Sequence, residues 1–118
     1  MSNYKLFIGP QTNNILDAIL KYNNSFPNRL GIIISRDQVE NKKYGDAYLF
    51  NSKKKFINYV RTNNKKIQIC RDHGGLFKNN SEKKLSYKRA YINSLDSICE
   101  DSDLLFNIIH LDPENFKN

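Results

Sequence analysis

The chain contains two histidines, and each follows a run of apolar residues that predicts a β-strand. Each histidine also has an aspartate close to it in the sequence. His73 comes directly after Asp72 and before Gly74-Gly75, and His110 lies two residues before Asp112. An imidazole can carry a proton or bind a metal ion near neutral pH, and a neighbouring carboxylate can orient it or move a proton itself. Because reactive groups of α/β proteins collect at the carboxyl ends of the strands, the two pairs predict a functional site there.

Four strands that alternate with three helices are predicted to position these residues. The third helix is the clearest, because its apolar residues recur with helical spacing from Tyr87 to Ile98. The order β-α-β-α-β-α-β is typical of a parallel sheet with right-handed crossovers. The predicted strands are residues 4–8, 30–35, 66–70 and 106–111, and the other two helices are residues 13–22 and a segment that starts after Ser52.

The strand-to-helix connections, residues 36–51 and 74–85, are longer than the helix-to-strand connections, which marks the carboxyl edge of the sheet as the functional edge. His110 and Asp112 have the same strand parity and point the same way. Asp72 and His73 have opposite parity, and both reach the site only if the chain bends at the two glycines. The simpler alternative is that such residues satisfy loop backbone groups. The residues expected to bind substrate at this edge are Gln11, Ser35, Arg36, Gln38, Arg71, Gly74, His110 and Asp112.

The composition indicates one small globular domain spanning residues 1–118, since 39% of the residues are hydrophobic and 26% are charged. No apolar run approaches the roughly 20 residues of a membrane span, and the first residues lack the pattern of a secretory signal. A cytoplasmic protein without a membrane partner is therefore expected. Cys70 and Cys99 have neither metal-finger nor redox spacing, which favours buried free thiols.

An excess of basic residues, 19 Lys and Arg against 12 Asp and Glu, gives a net charge of +7. The alternative function is therefore a basic module that binds nucleic acid or another polyanion. The lysines form scattered pairs and one triplet, Lys53-Lys54-Lys55, without interleaved aromatic residues that would stack on bases. This pattern favours a solvated surface and makes nucleic acid the less favoured partner. The sequence contains neither a phosphate-binding glycine-rich fingerprint nor a nucleophile elbow.

Three blocks of sequence together resemble the class II aldolase type of (β/α)8 barrel, and most closely the non-catalytic, Z-type subunit of tagatose-bisphosphate aldolase. The first is Ser35-Arg36-Asp37-Gln38-Val39, followed by Tyr44-Gly45. The second is Asp72-His73-Gly74-Gly75, and the third is Ile109-His110-Leu111-Asp112. The blocks occur in the family's order and span most of the chain.

The resemblance implies a carbohydrate-metabolism protein that binds a sugar phosphate at the carboxyl ends of the strands. It implies that Asp72 transfers a proton and that His73 binds Zn²⁺, which would polarise a ketose carbonyl and stabilise an enediolate. Such a zinc site needs three protein ligands. The others would come from later strands, because His110 does not match one of them. Arg71 and the stretch Gly74-Gly75-Leu76 depart from the family's pattern. Since the Z-type subunit supports a catalytic partner, aldolase-type cleavage by this chain alone is not expected.

A complete barrel of this type takes roughly 250 residues, so the four predicted strands correspond to its N-terminal half, apparently truncated after the fourth strand. A second chain, either another copy or a catalytic aldolase subunit, is expected to complete the barrel at the open sheet edges. The alternative fold is a small flavodoxin-like, doubly wound sheet. Strand order distinguishes the two, since 1-2-3-4 fits a half barrel and 2-1-3-4 fits a doubly wound sheet.

Overall fold

A computed structural model describes residues 6–40, 49–50, 52–78 and 80–112, which form a four-stranded parallel sheet with helices between the strands. The strands are β1 (Leu6–Ile8), β2 (Leu30–Ile34), β3 (Ile69–Gly74) and β4 (Ile108–Leu111). The helices are α1 (Asn13–Ser25), α2 (Arg36–Val39), α3 (Lys53–Asn63) and α4 (Tyr87–Asp103), and a 3-10 helix spans Asn80–Lys84.

The strand order is β1-β2-β3-β4, and all three pairings are parallel. This confirms the predicted parallel β-α-β-α-β-α-β arrangement. It excludes the doubly wound alternative for the described strands, because that fold would place β1 between β2 and β3.

Each of the three longer helices begins at a hydroxyl residue that caps it. The side chains of Thr12, Ser52 and Ser86 accept hydrogen bonds from the backbone N–H groups of Ile15, Lys55 and Arg89. Such caps satisfy backbone donors that have no partner inside the helix. They fix the start of each helix in the chain.

The hydrophobic core lies between the helices and one face of the sheet. Ile32, Ile34 and Ile69 supply the sheet side of this core and are almost fully buried. Successive crossovers of the same hand place the helices on this one face. The helix side consists of Leu16, Ile19 and Leu20 from α1 and Phe56, Ile57 and Val60 from α3.

The opposite face of the sheet carries Phe7, Gly31, Ile33 and Cys70, which alternate with the core residues. Phe7 and Gly31 are register partners, and a Cβ atom on Gly31 would lie 2.5 Å from the Phe7 ring. The aromatic ring therefore occupies the space above the glycine. We call this side the open face, because α1, α3 and α4 pack on the other side.

The main differences from the predicted elements lie at the carboxyl ends of β2 and β3. β3 is not residues 66–70 but Ile69–Gly74, so Asp72 and His73 are part of the strand. Helix α2 and the 3-10 helix lie in segments predicted to be loops. Tyr44-Gly45, part of the family resemblance, lies outside the described residues.

Both cysteines are free, as predicted, but only Cys70 is buried. The prediction of a buried thiol is wrong for Cys99, because this residue lies on the solvent side of α4. In the part of the chain that the structure describes, no helix combines the length and apolar character needed to cross a membrane.

Candidate functional site

Five ionisable side chains meet at the carboxyl ends of β3 and β4, and we call them the strand-end cluster: Asp72, His73, Lys78, His110 and Asp112. His110 Nδ1 lies 2.8 Å from Asp72 Oδ1, and His73 Nε2 lies 3.3 Å from Asp72 Oδ2. His73 Nδ1 lies 3.5 Å from Asp112 Oδ2, which also accepts from Lys78 Nζ at 2.7 Å. Each carboxylate therefore lies between two basic groups.

The register of the two strands explains the shortest of these contacts. Cys70 on β3 is the register partner of Ile108 on β4. Asp72 lies two residues after Cys70, and His110 lies two residues after Ile108. Because side chains alternate along a strand, both point to the open face. Asp72 and His110 thus meet on the side away from the helices.

His73 reaches the same cluster through an unusual backbone conformation. Its φ is 49°, in the left-handed region that few non-glycine residues adopt. The sequence left open whether Asp72 and His73, with opposite parity, could both face the site. The structure brings both into the cluster, and the turn occurs at His73 itself.

Gly74 and Gly75 allow the ends of β3 and β4 to approach closely. A Cβ atom on Gly74 would lie 2.8 Å from the His110 carbonyl oxygen, and one on Gly75 would lie 2.8 Å from that of Asp112. The backbone N–H of Asp112 donates to the Gly74 carbonyl at 2.7 Å. The glycines therefore hold the two strand ends together, which is a structural role for Gly74 beside the predicted substrate contact.

The Asp72 carboxylate is held in its ionised form. Partial burial by itself would raise its pKa, but hydrogen bonds from His110 and from the His73 backbone N–H, together with the positive charge of both rings, lower it below the ordinary value. The two rings are more than half exposed, with side-chain accessibilities of 57% for His73 and 59% for His110. A ligand at the edge of the sheet can therefore reach both imidazoles.

Arg36 and Arg71, which the sequence placed in the site, belong instead to a buried ion network. Arg36 donates to Glu82 Oε2 at 3.0 Å, to Glu40 Oε1 at 2.9 Å and to the Gly75 carbonyl at 2.9 Å. Burial alone would lower the pKa of Arg36, but its two carboxylate partners raise it. The structure therefore uses Arg36 to join α2 to the segment after β3, not to line the strand-end cluster.

Arg71 points to the helix side of the sheet, where it is fully buried. Its Nη2 donates to Asp101 Oδ1 at 2.7 Å, and its guanidinium carbon lies 5.3 Å from the centre of the Phe106 ring. The Nε and Nη1 atoms have no hydrogen-bond partner among the described residues. Arg71 has the same strand parity as Ile69, which keeps it away from Asp72 and His110.

Lys53 completes the buried ion network and was not expected to be buried. Its ammonium group lies 2.8 Å from Asp101 Oδ1 and 3.4 Å from Glu40 Oε1, and it donates to the Ser97 hydroxyl at 2.8 Å. The lysine triplet was predicted to be solvated surface. This prediction is wrong for Lys53, because the start of α3 packs against α4 at this point.

The remaining predicted site residues lie near β1 and β2. Gln38 is buried, accepts from the Ser35 backbone N–H at 2.8 Å and donates to the Pro10 carbonyl at 2.9 Å. Ser35 precedes α2, and Gln11 is exposed after β1. These contacts give Gln38 a role in fixing the ends of β1 and β2, and the structure does not bring the three side chains into the strand-end cluster.

Lys78 is the member of the cluster that the sequence analysis missed. It lies in the segment after β3, and its position depends on contacts between residues far apart in the chain. Glu82 accepts from the Phe77 backbone N–H at 3.0 Å while it binds Arg36. The polar sequence around Lys78 gives no indication that this lysine contacts Asp112.

A zinc ion at His73, which the resemblance implies, would need three donor side chains close together. Among the described residues, no three His, Cys, Asp or Glu side chains are grouped so that they could hold a metal ion. Both ring nitrogens of His73 face carboxylates, whereas His110 uses only Nδ1 in its contact with Asp72. A carboxylate on one ring nitrogen is the usual support for a histidine that binds a ligand or metal through the other.

The fold and the strand-end cluster define an α/β protein with a polar site at the carboxyl edge of a parallel sheet. Comparisons with protein-family models, with curated proteins and with solved structures gave no match.

Proposed function

We propose that the protein binds a sugar phosphate at the strand-end cluster and belongs to the class II aldolase-related proteins of carbohydrate metabolism, as a subunit that does not cleave its ligand alone. The observation that carries the proposal is the 2.8 Å contact between Asp72 and His110. It places an oriented imidazole, supported by an ionised carboxylate, at the edge where parallel α/β folds bind ligands.

The chemistry of this pair is proton transfer to or from a hydroxyl or carbonyl group. The Asp72 carboxylate orients His110 and fixes which ring nitrogen faces the ligand. Asp72 is thus the catalytic residue of the proposal, either through His110 or by direct contact with the ligand. His73 and Asp112 border the same space.

A divalent metal at His73, which is part of the proposal, would supply charge stabilisation for an enediolate. His73 would have to release one of its carboxylate contacts to bind it, and further ligands would have to come from outside the described residues. The sugar phosphate needs a counter-charge, and Lys78, which pairs with Asp112 in the strand-end cluster, is the cation proposed to supply it.

The basic-module alternative loses support from one observation. Lys53, the first residue of the lysine triplet, is buried in ion pairs with Glu40 and Asp101 and is not available to a polyanion. Only Lys54 and Lys55 of the triplet remain exposed.

The proposal is tested by following the two histidine Cε1–H resonances in an NMR titration. The sequence has only two histidines, so each signal reports on one side of the cluster. Addition of tagatose 1,6-bisphosphate is expected to shift both signals in a saturable way. Asp72→Asn is expected to weaken binding at least about tenfold, which corresponds to about 1.4 kcal/mol.

Asp103→Asn is the matched control, because Asp103 is exposed at the end of α4 and far from the cluster in the fold. It removes the same charge and is expected to leave binding unchanged. Equal weakening by both variants would mean that net charge alone drives binding, and unshifted histidine signals would refute the proposed site. A separate Zn²⁺ titration checks the metal, since binding that persists in His73→Ala would remove His73 from that role.

A further inference from the structure

Helix α4 directs its large apolar side chains toward solvent and buries small or polar ones. Its buried residues are Ala90, Ser94, Ser97 and Asp101. Its exposed large hydrophobic side chains, each 43% to 45% accessible, are Tyr87, Tyr91, Ile92 and Leu95. An amphipathic helix at the surface of a single globular domain has the reverse arrangement, with its apolar side toward the core. The outer side of α4 is therefore suited to contact with another molecule.

Three of these side chains form one patch on the outer side of the helix. Tyr91 and Ile92 lie four and three residues before Leu95, and residues at these spacings are neighbours on a helix surface. We call Tyr91, Ile92 and Leu95 the α4 patch. The contacts of α4 with α3 use a different side of the helix, since Ser97 and Glu100 contact Lys53 there.

The charges of α4 are also arranged in an unusual way. Lys88 and Arg89 lie in the first turn, Asp96 and Glu100 follow in the second half, and the last turn contains no basic residue. The amino end of a helix carries partial positive charge and the carboxyl end partial negative charge, so this order opposes the helix dipole. Within the described part of the chain, neither Arg89 nor Asp96 takes part in an ion pair. The stability of α4 itself therefore does not explain these two charges.

We infer that two copies of this chain associate through α4, with the two helices antiparallel and the two α4 patches in contact. An antiparallel pair brings the basic first turn of each helix against the acidic second half of the other. A second copy fits this surface better than a polyanion, which Asp96 and Glu100 would repel, or a polycation, which Lys88 and Arg89 would repel. Because a two-fold rotation uses the same surface on both copies, the assembly closes as a dimer.

The spacing within α4 allows the apolar and the charged contacts to form together. In an antiparallel pair the residue numbers run in opposite directions, so Ile92 of each copy can pack on Leu95 of the other. Arg89 then lies within two residues, or about 3 Å along the axis, of Asp96 in the second copy. Arg89 and Asp96 are seven residues apart, which places them on one side of the helix beside Ile92. Charged residues that flank an apolar contact in this way select the orientation of paired helices.

Association through α4 is separate from ligand binding at the strand-end cluster. The cluster comes from the ends of β3 and β4 and the segment after β3, and it contains no residue of α4. A dimer that binds no sugar phosphate would refute the proposed function and leave the α4 contact standing. A monomer that binds the sugar phosphate would do the reverse.

Sedimentation equilibrium over a wide range of protein concentrations tests the association. The wild-type chain is expected to approach twice the mass of one 13.8 kDa chain as the concentration rises. Arg89→Asp is expected to raise the dimer dissociation constant at least about tenfold, because it places like charges opposite each other in two symmetric contacts. Lys21→Asp is the matched control, since it makes the same charge change at an exposed position of α1.

A second charge reversal tests the antiparallel orientation. Asp96→Arg alone is expected to weaken the dimer as Arg89→Asp does, and the two changes together are expected to restore most of the affinity. A parallel pair would place each residue against its own copy, so the combined variant would show no rescue. Circular dichroism of each variant checks that the fold is kept.

Three results would overturn the inference. One is a chain that stays monomeric up to its solubility limit, including a monomer that instead sediments with vesicles containing phosphatidylserine, which would assign the α4 patch to a membrane surface. Another is a dimer that Arg89→Asp and Lys21→Asp weaken equally. The third is a combined variant that dimerises no better than either single variant.

Discussion

At the scale of single residues, the feature that organises the site is the Asp72 carboxylate between two imidazoles. Its contacts with His110 and His73 combine hydrogen bonding with opposite charge, and these effects outweigh burial. His73 makes its contact in a left-handed conformation that costs about 1–2 kcal/mol for a residue with a Cβ atom. Such strain is typical of functional positions and is retained because the surrounding structure fixes it.

This arrangement predicts how Asp72 responds to loss of its partner. His110→Ala removes the strongest of the contacts that lower the Asp72 pKa, so the pKa is expected to rise, and it is measured by NMR titration of the carboxyl carbon. His73→Ala is expected to raise it less while the backbone N–H at position 73 continues to donate. A pKa that stays low in His110→Ala would contradict the assigned contact.

At the scale of elements, Arg36 and Glu82 join α2 to the 3-10 helix and thereby position the segment that carries Lys78. Glu82→Ala leaves the buried Arg36 without its bidentate partner, and breaking such a pair costs about 3–5 kcal/mol. We expect urea denaturation to give a lower free energy of unfolding than for the wild-type chain. We also expect the chemical environment of Lys78 to change.

Two variants make this prediction specific. Lys83→Ala, at an exposed position of the same 3-10 helix, is expected to change the free energy of unfolding little. Replacing both charged residues, Arg36→Met with Glu82→Met, avoids leaving a buried Arg36 that has lost one of its two carboxylate partners, and it is expected to destabilise the protein less than Glu82→Ala alone. The opposite order of stabilities would show that the pair does not act as a unit.

At the scale of the whole molecule, the buried ion network makes stability depend on pH. Burial would raise the Glu40 pKa, but the charges of Arg36 and Lys53 and the hydrogen bonds from Arg36 and Ser97 lower it below the ordinary value. A carboxylate whose pKa is lowered by folding adds stability above its unfolded pKa, and this stability is lost as the pH falls through the folded pKa.

The midpoint of thermal unfolding is therefore expected to fall as the pH is lowered below the ordinary glutamate pKa. Glu40→Gln is expected to be less stable at neutral pH but to lose less stability on acidification, because it has no carboxylate to protonate. Parallel curves for the two proteins would mean that Glu40 does not contribute to acid lability.

The alternation of strands and helices was predictable because it follows from apolar spacing and turn residues. The strand order 1-2-3-4 also agrees with one of the two arrangements that the sequence allowed. The end of β3 was not predictable, because Arg71, Asp72 and His73 do not have the residue types of a strand. Their strand conformation depends on pairing with β4, a contact between distant parts of the chain.

The candidate site was predictable in part. Asp72, His73, His110 and Asp112 were predicted to lie at the strand ends, although the sequence left open whether Asp72 and His73 could both face the site. The structure brings these four together. Arg36 and Arg71 were misplaced because buried charges are rare and depend on partners that the local sequence does not reveal, such as Asp101 for Arg71. Ser35 and Gln38 do carry a local signal, since Ser-x-x-Gln is a capping-box pattern that predicts a helix start.

The unequal environments of the two cysteines give the molecule two thiols of very different reactivity. Burial and the charge of Asp72 raise the pKa of Cys70, while Cys99 is exposed on α4. Because alkylation requires an accessible thiolate, a maleimide dye added to the native protein would attach at Cys99 alone, without any mutation. Cys70 lies on the open face with 7% of its surface exposed, so it is expected to react much more slowly, at the rate at which its neighbours on that face move aside.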